Sequence, residues 1–332
     1  LRLVGSEMCI RDRYITVLEG IREEAGDDVR ILYSQGCDLY KDKVENLAWD
    51  QDRISEAVIT AENSDVVILC VGLDETLEGE EGDTGNSDAS GDKVDLHLPK
   101  VQEELIEKVT AVGKPTIVVL MAGSAIDLNY AQDNCNGILL AWYPGARGGR
   151  AIADLLFGKE SPSGKLPITF YKDLEGMPEF TDYSMKNRTY RYMEKEALYP
   201  FGYGLTYSDT CVTEAEVVSE VSAESDIMLK ATVKNNGTVD TDEVVQVYIK
   251  DLDSPLAVRN YSLCGFKRVS LKAGEEKTVE FTISNKAMNI VDEDGNRYIA
   301  GKHFRLFAGV SQPDTRSAEL TGHKPAEVEI AL

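Results

Sequence analysis

Histidine and paired cysteine, on which many metal and nucleophile sites are built, are scarce in this sequence. Only three histidines occur, His97, His303 and His323, and they are far apart along the chain. The six cysteines are scattered singly, and no C-x-x-C pair is present. This spacing predicts neither a zinc site nor a disulfide framework. It also disfavours a nucleophile site based on histidine.

Positive charge and long apolar runs are also in short supply. The chain carries 58 acidic and 35 basic side chains, which gives a formal net charge of −23. Such an excess disfavours nucleic acid and anionic membrane surfaces as partners, because both bind basic patches. No apolar stretch approaches the roughly 20 residues that a membrane-spanning helix needs. The charge balance instead suits a neutral ligand.

In the first half of the chain, helical and strand-like patterns alternate. Apolar runs typical of strands occupy residues 29–33, 66–71, 116–121 and 137–142. Helical spacing occurs in residues 14–25 and 51–63, from Leu98-Pro99 to Gly113, and in residues 150–157. Alternation of this kind predicts a parallel sheet flanked by helices.

The pattern changes after about residue 165. Residues 171–210 contain prolines and many aromatic side chains but little periodicity, so we expect an irregular connector wrapped on the first domain. From about residue 211 the chain becomes β-like. Short strand-like stretches follow at residues 227–233, 244–249, 265–269, 277–283 and 304–309. Strands at this spacing predict a β-sandwich.

A long loop, residues 73–98, directly follows the apolar run at 66–71. Its first part is the acidic cluster Glu78-Gly79-Glu80-Glu81-Gly82-Asp83. Open α/β sheets place functional loops beyond the carboxyl ends of their strands. Crowded carboxylates raise one another's pKa, so one of them can stay protonated and act as a general acid. A solvated acidic loop without a catalytic role is the alternative interpretation.

Several motifs of this sequence resemble those of glycoside hydrolase family 3, the β-glucosidase and β-xylosidase family. They are W-Y-P-G-A-R-G-G with the helical stretch after it at 142–158, P-S-G-K-L-P-I-T-F at 162–170, Y-R-Y at 190–192 and L-Y-P-F-G-Y-G-L-T-Y at 198–207. The resemblance covers nearly everything from Tyr14 onward.

The resemblance implies an α/β fold in two domains. An α/β sandwich domain with a mostly parallel sheet is expected at residues 14–170, followed by the irregular connector at 171–210. A fibronectin type III-like β-sandwich is expected at residues 211–332. Residues 1–13 are expected to be foreign sequence, because the string M-C-I-R-D-R at 8–13 resembles a translated sequencing-library adapter.

The resemblance also implies a chemistry. Members of this family look like retaining glycosidases, which need two carboxyl groups about 5–5.5 Å apart and no cofactor. One carboxylate is the nucleophile, and the other protonates the leaving oxygen and later activates water. The substrate would be a β-linked oligosaccharide or glycoside. In the family the nucleophile is an aspartate on an N-terminal (β/α)8 barrel, so this chain is expected to be a C-terminal fragment that is inactive without that barrel.

The acid/base residue of the family lies on a loop of the α/β domain, in a pattern like E-x-x-D-R. Residues 80–83 match the first four positions of that pattern, with Thr84 in place of the arginine. Glu80 is therefore the first candidate for the acid/base, Glu81 the second and Glu78 the third.

The aspartate and the basic residue at the end of this pattern, called here the Asp-basic pair, have a second possible position. Asp92-Lys93 would supply it if residues 84–91 were an insertion. The 73–98 loop would in either case close one wall of the sugar pocket. Tyr143 and Trp142 would lie near that wall, although a core role is the stronger expectation for Trp142.

Two other classes of function stay open at this point. The two domains together would also suit a stand-alone carbohydrate-binding or structural module. A nucleotide-binding α/β protein ranks last, because neither G-x-G-x-x-G nor G-x-x-x-x-G-K-[ST] follows any strand-like run.

Overall fold

The structure, a computed structural model, describes residues 14–41, 51–79 and 93–332. The chain divides into two units, with the boundary between Lys159 and Glu160. No helix in the described ranges is both long enough and apolar enough to cross a lipid bilayer.

The first unit contains a sheet of three parallel strands accompanied by helices. The strands lie in the order β1 (Val67–Gly72), β2 (Thr116–Met121) and β3 (Gly137–Leu140). The helices are α1 (Val17–Ala25), α2 (Asp52–Glu62), α3 (Lys100–Thr110), α4 (Asn129–Asn134) and α5 (Gly148–Leu156). The predicted α/β fold with a parallel sheet is confirmed.

Strand β2 forms the centre of this sheet. Its residues Val118, Val119 and Leu120 are fully buried, so consecutive side chains on both faces are removed from water. A strand in this position is a continuous apolar run rather than an alternating one, which is why the sequence pattern was unambiguous here. Helix α3 adds Leu105 and Val109, two buried residues one helical turn apart.

Two strand predictions in this unit differ from the structure. Residues 29–33 form no strand, because none of the described residues pairs with them. Strand β3 ends at Leu140, two residues before the predicted end at 142. The chain leaves the extended conformation at Trp142, whose φ of 52° lies in the left-handed region.

The paired glycines of the W-Y-P-G-A-R-G-G motif serve helix packing in addition to the turn. Helices α1 and α5 lie so close that a Cβ atom on Gly149 would overlap the carbonyl group of Thr16. A Cβ atom on Gly20 would likewise overlap the carbonyl group of Gly149. The Gly149 N–H donates to the Ile15 carbonyl at 3.2 Å. Both positions therefore require glycine for the close approach of the backbones.

The second unit contains a β-sandwich of two antiparallel sheets. One sheet has the order β12-β11-β6-β7 and the other the order β4-β5-β8. The strands are β4 (Thr210–Val217), β5 (Ile227–Asn235), β6 (Thr241–Asp251), β7 (Ser262–Leu271), β8 (Glu276–Ile283), the short pair β9 (Ile290–Val291) and β10 (Arg297–Tyr298), β11 (His303–Gly309) and β12 (Ala326–Ala331). Two short helices complete the unit, α6 (Thr189–Tyr192) and α7 (Thr315–Thr321).

Alternating burial along the strands builds the core of the sandwich. On β5, the side chains of Ile227, Leu229, Ala231 and Val233 point inward and are at most 1% exposed, whereas the residues between them are partly exposed. This period of two is typical of a strand with one face on the core. The predicted fibronectin type III-like β-sandwich is confirmed. Strand β12 was not predicted, because Ile330 is its one buried side chain and the strand therefore lacks a clear apolar pattern.

The aromatic residues of the connector pack on the sandwich. Tyr190 stacks on Phe201 with ring centroids 4.4 Å apart, and it meets the buried ring of Tyr248 edge-on at 6.1 Å. The Gln246 side chain donates to the Gly202 carbonyl at 2.8 Å. We expected this segment to wrap on the first domain; these contacts lie within the second unit instead.

A buried ion pair also joins the P-S-G-K-L-P segment to the sandwich. The Lys165 ammonium group lies 2.8 Å from Glu243 Oε1, and the two side chains are only 9% and 2% exposed. The ammonium group also donates to the Gly204 carbonyl at 2.6 Å. Thr210 Oγ1 donates to Glu243 Oε2 at 2.5 Å. A buried ion pair needs such additional hydrogen bonds to offset the loss of hydration.

Removal of the lysine charge should strongly destabilise the second unit. We expect Lys165→Met to lower the free energy of unfolding by about 3–5 kcal/mol, because the buried Glu243 carboxylate would lose its cation. Chemical denaturation measures this change. The exposed pair Lys272–Asp240 offers the matched control, and Lys272→Met should cost at most about 1 kcal/mol. Equal losses of unfolding free energy in the two variants would contradict a stabilising role for the buried Lys165–Glu243 pair.

Candidate functional site

Three loops meet where the parallel strands of the first unit end. The chain continues from β1 through Leu73 to Glu78, from β2 into Ala122-Gly123-Ser124, and from β3 into Ala141-Trp142-Tyr143. Because parallel strands share one direction, their carboxyl ends lie at the same edge of the sheet. Side chains from all three loops come into contact there.

The carboxylate of Glu78 lies at the centre of these contacts. Its Oε2 atom accepts hydrogen bonds from the Gly123 N–H at 2.8 Å and from the Tyr143 hydroxyl at 2.6 Å. Its Oε1 atom is buried and has no hydrogen-bond partner among the described residues. Burial raises the pKa of Tyr143 well above its usual value, and the hydrogen bond to Glu78 adds to the shift. The phenol therefore stays protonated and acts as the donor.

A short turn after β1 places Glu78 at this edge. The Asp74 side chain accepts from the Thr76 N–H at 2.9 Å and from the Thr76 hydroxyl at 2.6 Å. The Asp74 carbonyl accepts from the N–H of Glu78 at 2.9 Å. An aspartate that caps its own turn in this way is a common loop device. The turn thereby fixes the backbone from which the Glu78 side chain extends.

Lys93 reaches the same edge from the other end of the loop. Its ammonium group donates to Ser124 Oγ at 2.9 Å and to the Ala125 carbonyl at 2.8 Å. Burial lowers the pKa of Lys93 from its usual value, while the charges of Glu78 and Asp95 oppose that shift. We call Glu78, Lys93, Gly123, Ser124 and Tyr143 the strand-end cluster.

The predicted site residues divide into two groups. Glu80 and Glu81, the predicted acid/base candidates, lie outside the described residues, and their assignment stays a prediction. Glu78, the third candidate, and Lys93, the proposed basic residue, both belong to the strand-end cluster. Tyr143 lies beside Glu78, and its place near a sugar pocket stays a prediction.

Sequence reasoning missed the contribution of the segment after β2. Gly123 and Ser124 contact the loop through a backbone N–H and a hydroxyl group, and neither residue type stands out in a search for catalytic side chains. The available signal was their place directly after a buried strand. Trp142 is half-buried rather than part of the apolar core, contrary to the expectation for that residue. In the described ranges no three His, Cys, Asp or Glu side chains form a metal-binding group.

Comparison with known protein families agrees with this architecture. The glycosyl hydrolase family 3 C-terminal domain matches residues 4–207. The fibronectin type III-like domain matches residues 243–312. The chain therefore belongs to glycoside hydrolase family 3 and contains the C-terminal domain of that family.

Curated relatives extend well beyond this chain. A β-xylosidase of Formosa agariphila is 34% identical over 328 residues, which is 96% of this chain and 43% of that protein. A xylan 1,4-β-xylosidase of Xylanibacter ruminicola is 39% identical over 270 residues, 80% of this chain and 31% of that protein. The chain thus spans less than half of the length of these relatives.

Solved structures show the same relationship. A β-glucosidase from Erythrobacter marinus superposes with a TM-score of 0.80 at 30% identity, covering 96% of this chain and 43% of that one. A family 3 β-glucosidase from Bifidobacterium adolescentis gives a TM-score of 0.81 at 28% identity, covering 100% of this chain and 47% of that one.

The strand-end cluster leaves no room for a side chain at Gly123. A Cβ atom there would lie 2.9 Å from Tyr143 Cε2 and 3.2 Å from Glu78 Oε2. We expect Gly123→Ala to lower the free energy of unfolding of the first unit by about 1–3 kcal/mol, because the ring and the carboxylate must move apart. Gly137→Ala is the matched control, since its nearest atoms lie at 3.8 Å on Ile117. A denaturation midpoint for Gly123→Ala as high as that of the control would refute this packing.

Proposed function

We propose that this chain is the part of a retaining β-glycosidase that supplies the general acid/base loop. One observation carries the proposal: the strand-end cluster fixes Glu78 at the carboxyl edge of the parallel sheet, only two residues before Glu80. The acidic stretch therefore begins where α/β sheets place their functional groups. The names of the relatives, β-xylosidases and β-glucosidases, support this reaction class.

In this proposal Glu80 is the acid/base residue, and Glu81 is the second choice. The residue donates its proton to the leaving glycosidic oxygen, and in the second step it takes a proton from the attacking water. The nucleophile belongs to an N-terminal (β/α)8 barrel of the same protein, so the chain by itself is inactive. The proposed substrates are terminal β-xylosides or β-glucosides, cleaved without a cofactor.

The position of Lys93 supports the second interpretation of the loop. Its ammonium group binds at the edge where Glu78 lies, as a basic partner of the acid/base loop would be expected to do. Asp92-Lys93 would then supply the Asp-basic pair, and residues 84–91 would be an insertion. The domain limits of 14–170, 171–210 and 211–332 remain part of the proposal.

The test uses this chain joined to the barrel of a family 3 β-xylosidase. We expect Glu80→Gln to lower turnover of xylobiose by roughly 100- to 10,000-fold, because the leaving sugar must be protonated. In the first step, in which the leaving group departs, the loss of rate should be smaller with p-nitrophenyl β-xyloside, because its leaving group departs without a proton. Added azide should restore the second step.

Glu81→Gln and Glu75→Gln complete this experiment. Glu75 is an exposed glutamate of the same loop, so its variant controls for the loss of one charge. If Glu81→Gln alone gives the azide-rescued loss, the second choice is correct. If neither Glu80→Gln nor Glu81→Gln lowers turnover, the acid lies elsewhere. If wild-type fusion binds xylo-oligosaccharides but does not cleave them, the stand-alone carbohydrate-binding module is the better description.

A further inference from the structure

We infer that Glu78, Lys93 and Tyr143 are positioning residues that hold both ends of the acid/base loop against the segment after β2. This inference rests on the proposed function and narrows it, because it removes Glu78 from the acid/base candidates. The hydrogen bonds on which it depends join described residues alone, so they can be tested without an activity assay.

The geometry of Glu78 is that of an acceptor. Both hydrogen bonds to Oε2 are donated by groups that keep their protons, the Gly123 N–H and the phenol of Tyr143. A proton on this carboxyl group would have to be carried by Oε1, and that atom is buried. A general acid needs a proton that can reach the leaving oxygen. Glu78 is arranged instead to accept two hydrogen bonds.

The two ends of the loop are attached to neighbouring residues. Glu78 binds the backbone of Gly123, and Lys93 binds the side chain of Ser124 and the backbone of Ala125. Both ends of the loop therefore bind to one stretch of three residues, 123–125. Tyr143 adds a third attachment from the end of β3. Both described ends of the loop are therefore attached to the segments that follow β2 and β3.

The charges of the cluster fit the same arrangement. Burial lowers the pKa of Lys93, and the carboxylates of Glu78 and Asp95 oppose that shift. Tyr143 faces Glu78 and, at longer range, Asp74. One cation thus interacts with carboxylates from both described ends of the loop. Displacement of a catalytic group by about 1 Å can cost roughly 100-fold in rate, so fixed loop ends matter to catalysis.

The first test measures amide hydrogen exchange in this chain as it stands. Glu78→Ala removes the acceptor of the Gly123 N–H, and Tyr143→Phe removes the second donor to the same carboxylate. We expect the Gly123 amide to exchange about tenfold faster in Glu78→Ala, and less so in Tyr143→Phe. Tyr130→Phe is the matched control, because Tyr130 is a similarly exposed tyrosine of the same unit whose hydroxyl bonds Thr110. Unchanged exchange in both cluster variants would overturn the inference, whatever the chain's activity.

The second test separates positioning from acid catalysis in the barrel fusion. Glutamine keeps an oxygen that accepts hydrogen bonds but has no carboxyl proton. We expect Glu78→Ala to lower kcat about 10- to 100-fold with a smaller change in KM. Glu78→Gln should recover most of that lost turnover. Tyr143→Phe should resemble Glu78→Ala. If Glu78→Gln were as inactive as Glu78→Ala and azide restored it, Glu78 would be the acid and the inference would be wrong.

Discussion

Parallel pairing of three strands is the constraint on which the candidate site depends. Because β1, β2 and β3 point the same way, groups that follow each strand must meet at one edge. Glu78 thereby contacts Gly123, 45 positions away, and Tyr143, 65 positions away. No local feature of the sequence brings these groups together. The helices matter to the site chiefly because they return the chain to the start of the next parallel strand.

The carboxylates of Glu243 and Glu78 differ in how completely their oxygens are satisfied by hydrogen bonds. Glu243 in the second unit has a lysine and a hydroxyl group on its two oxygens, which is the pattern of a structural group. Glu78 has two donors on one oxygen and, among the described residues, none on the other. Buried polar atoms without partners are rare in folded proteins, and each one calls for an explanation. For Glu78, the adjoining acidic stretch makes a role in the proposed site the explanation that we favour.

The sequence predicted best where burial alone determines structure. Strand β2 was predicted at its observed limits, because Pro115 and the small residues after Met121 bound a continuous apolar run. The run at 29–33 is also mostly apolar, yet a strand needs a neighbour to pair with, and sequence periodicity carries no information about that. For the same reason Glu78 was expected after the end of strand β1, while its partners were not foreseen. Hydrogen bonds between distant residues depend on the assembled sheet.

The buried pair Lys165–Glu243 has a consequence for how such proteins can recombine. The family 3 C-terminal domain match ends at residue 207, but Lys165 packs with the unit that begins at residue 160. A gene exchange with its crossover at 207 would take the lysine and the glutamate from different parents, so the pair would form only where both parents carry it. A crossover near residue 159 would instead take both residues from one parent. Chimeras joined before the P-S-G-K-L-P motif therefore keep the ion pair whatever the other parent carries.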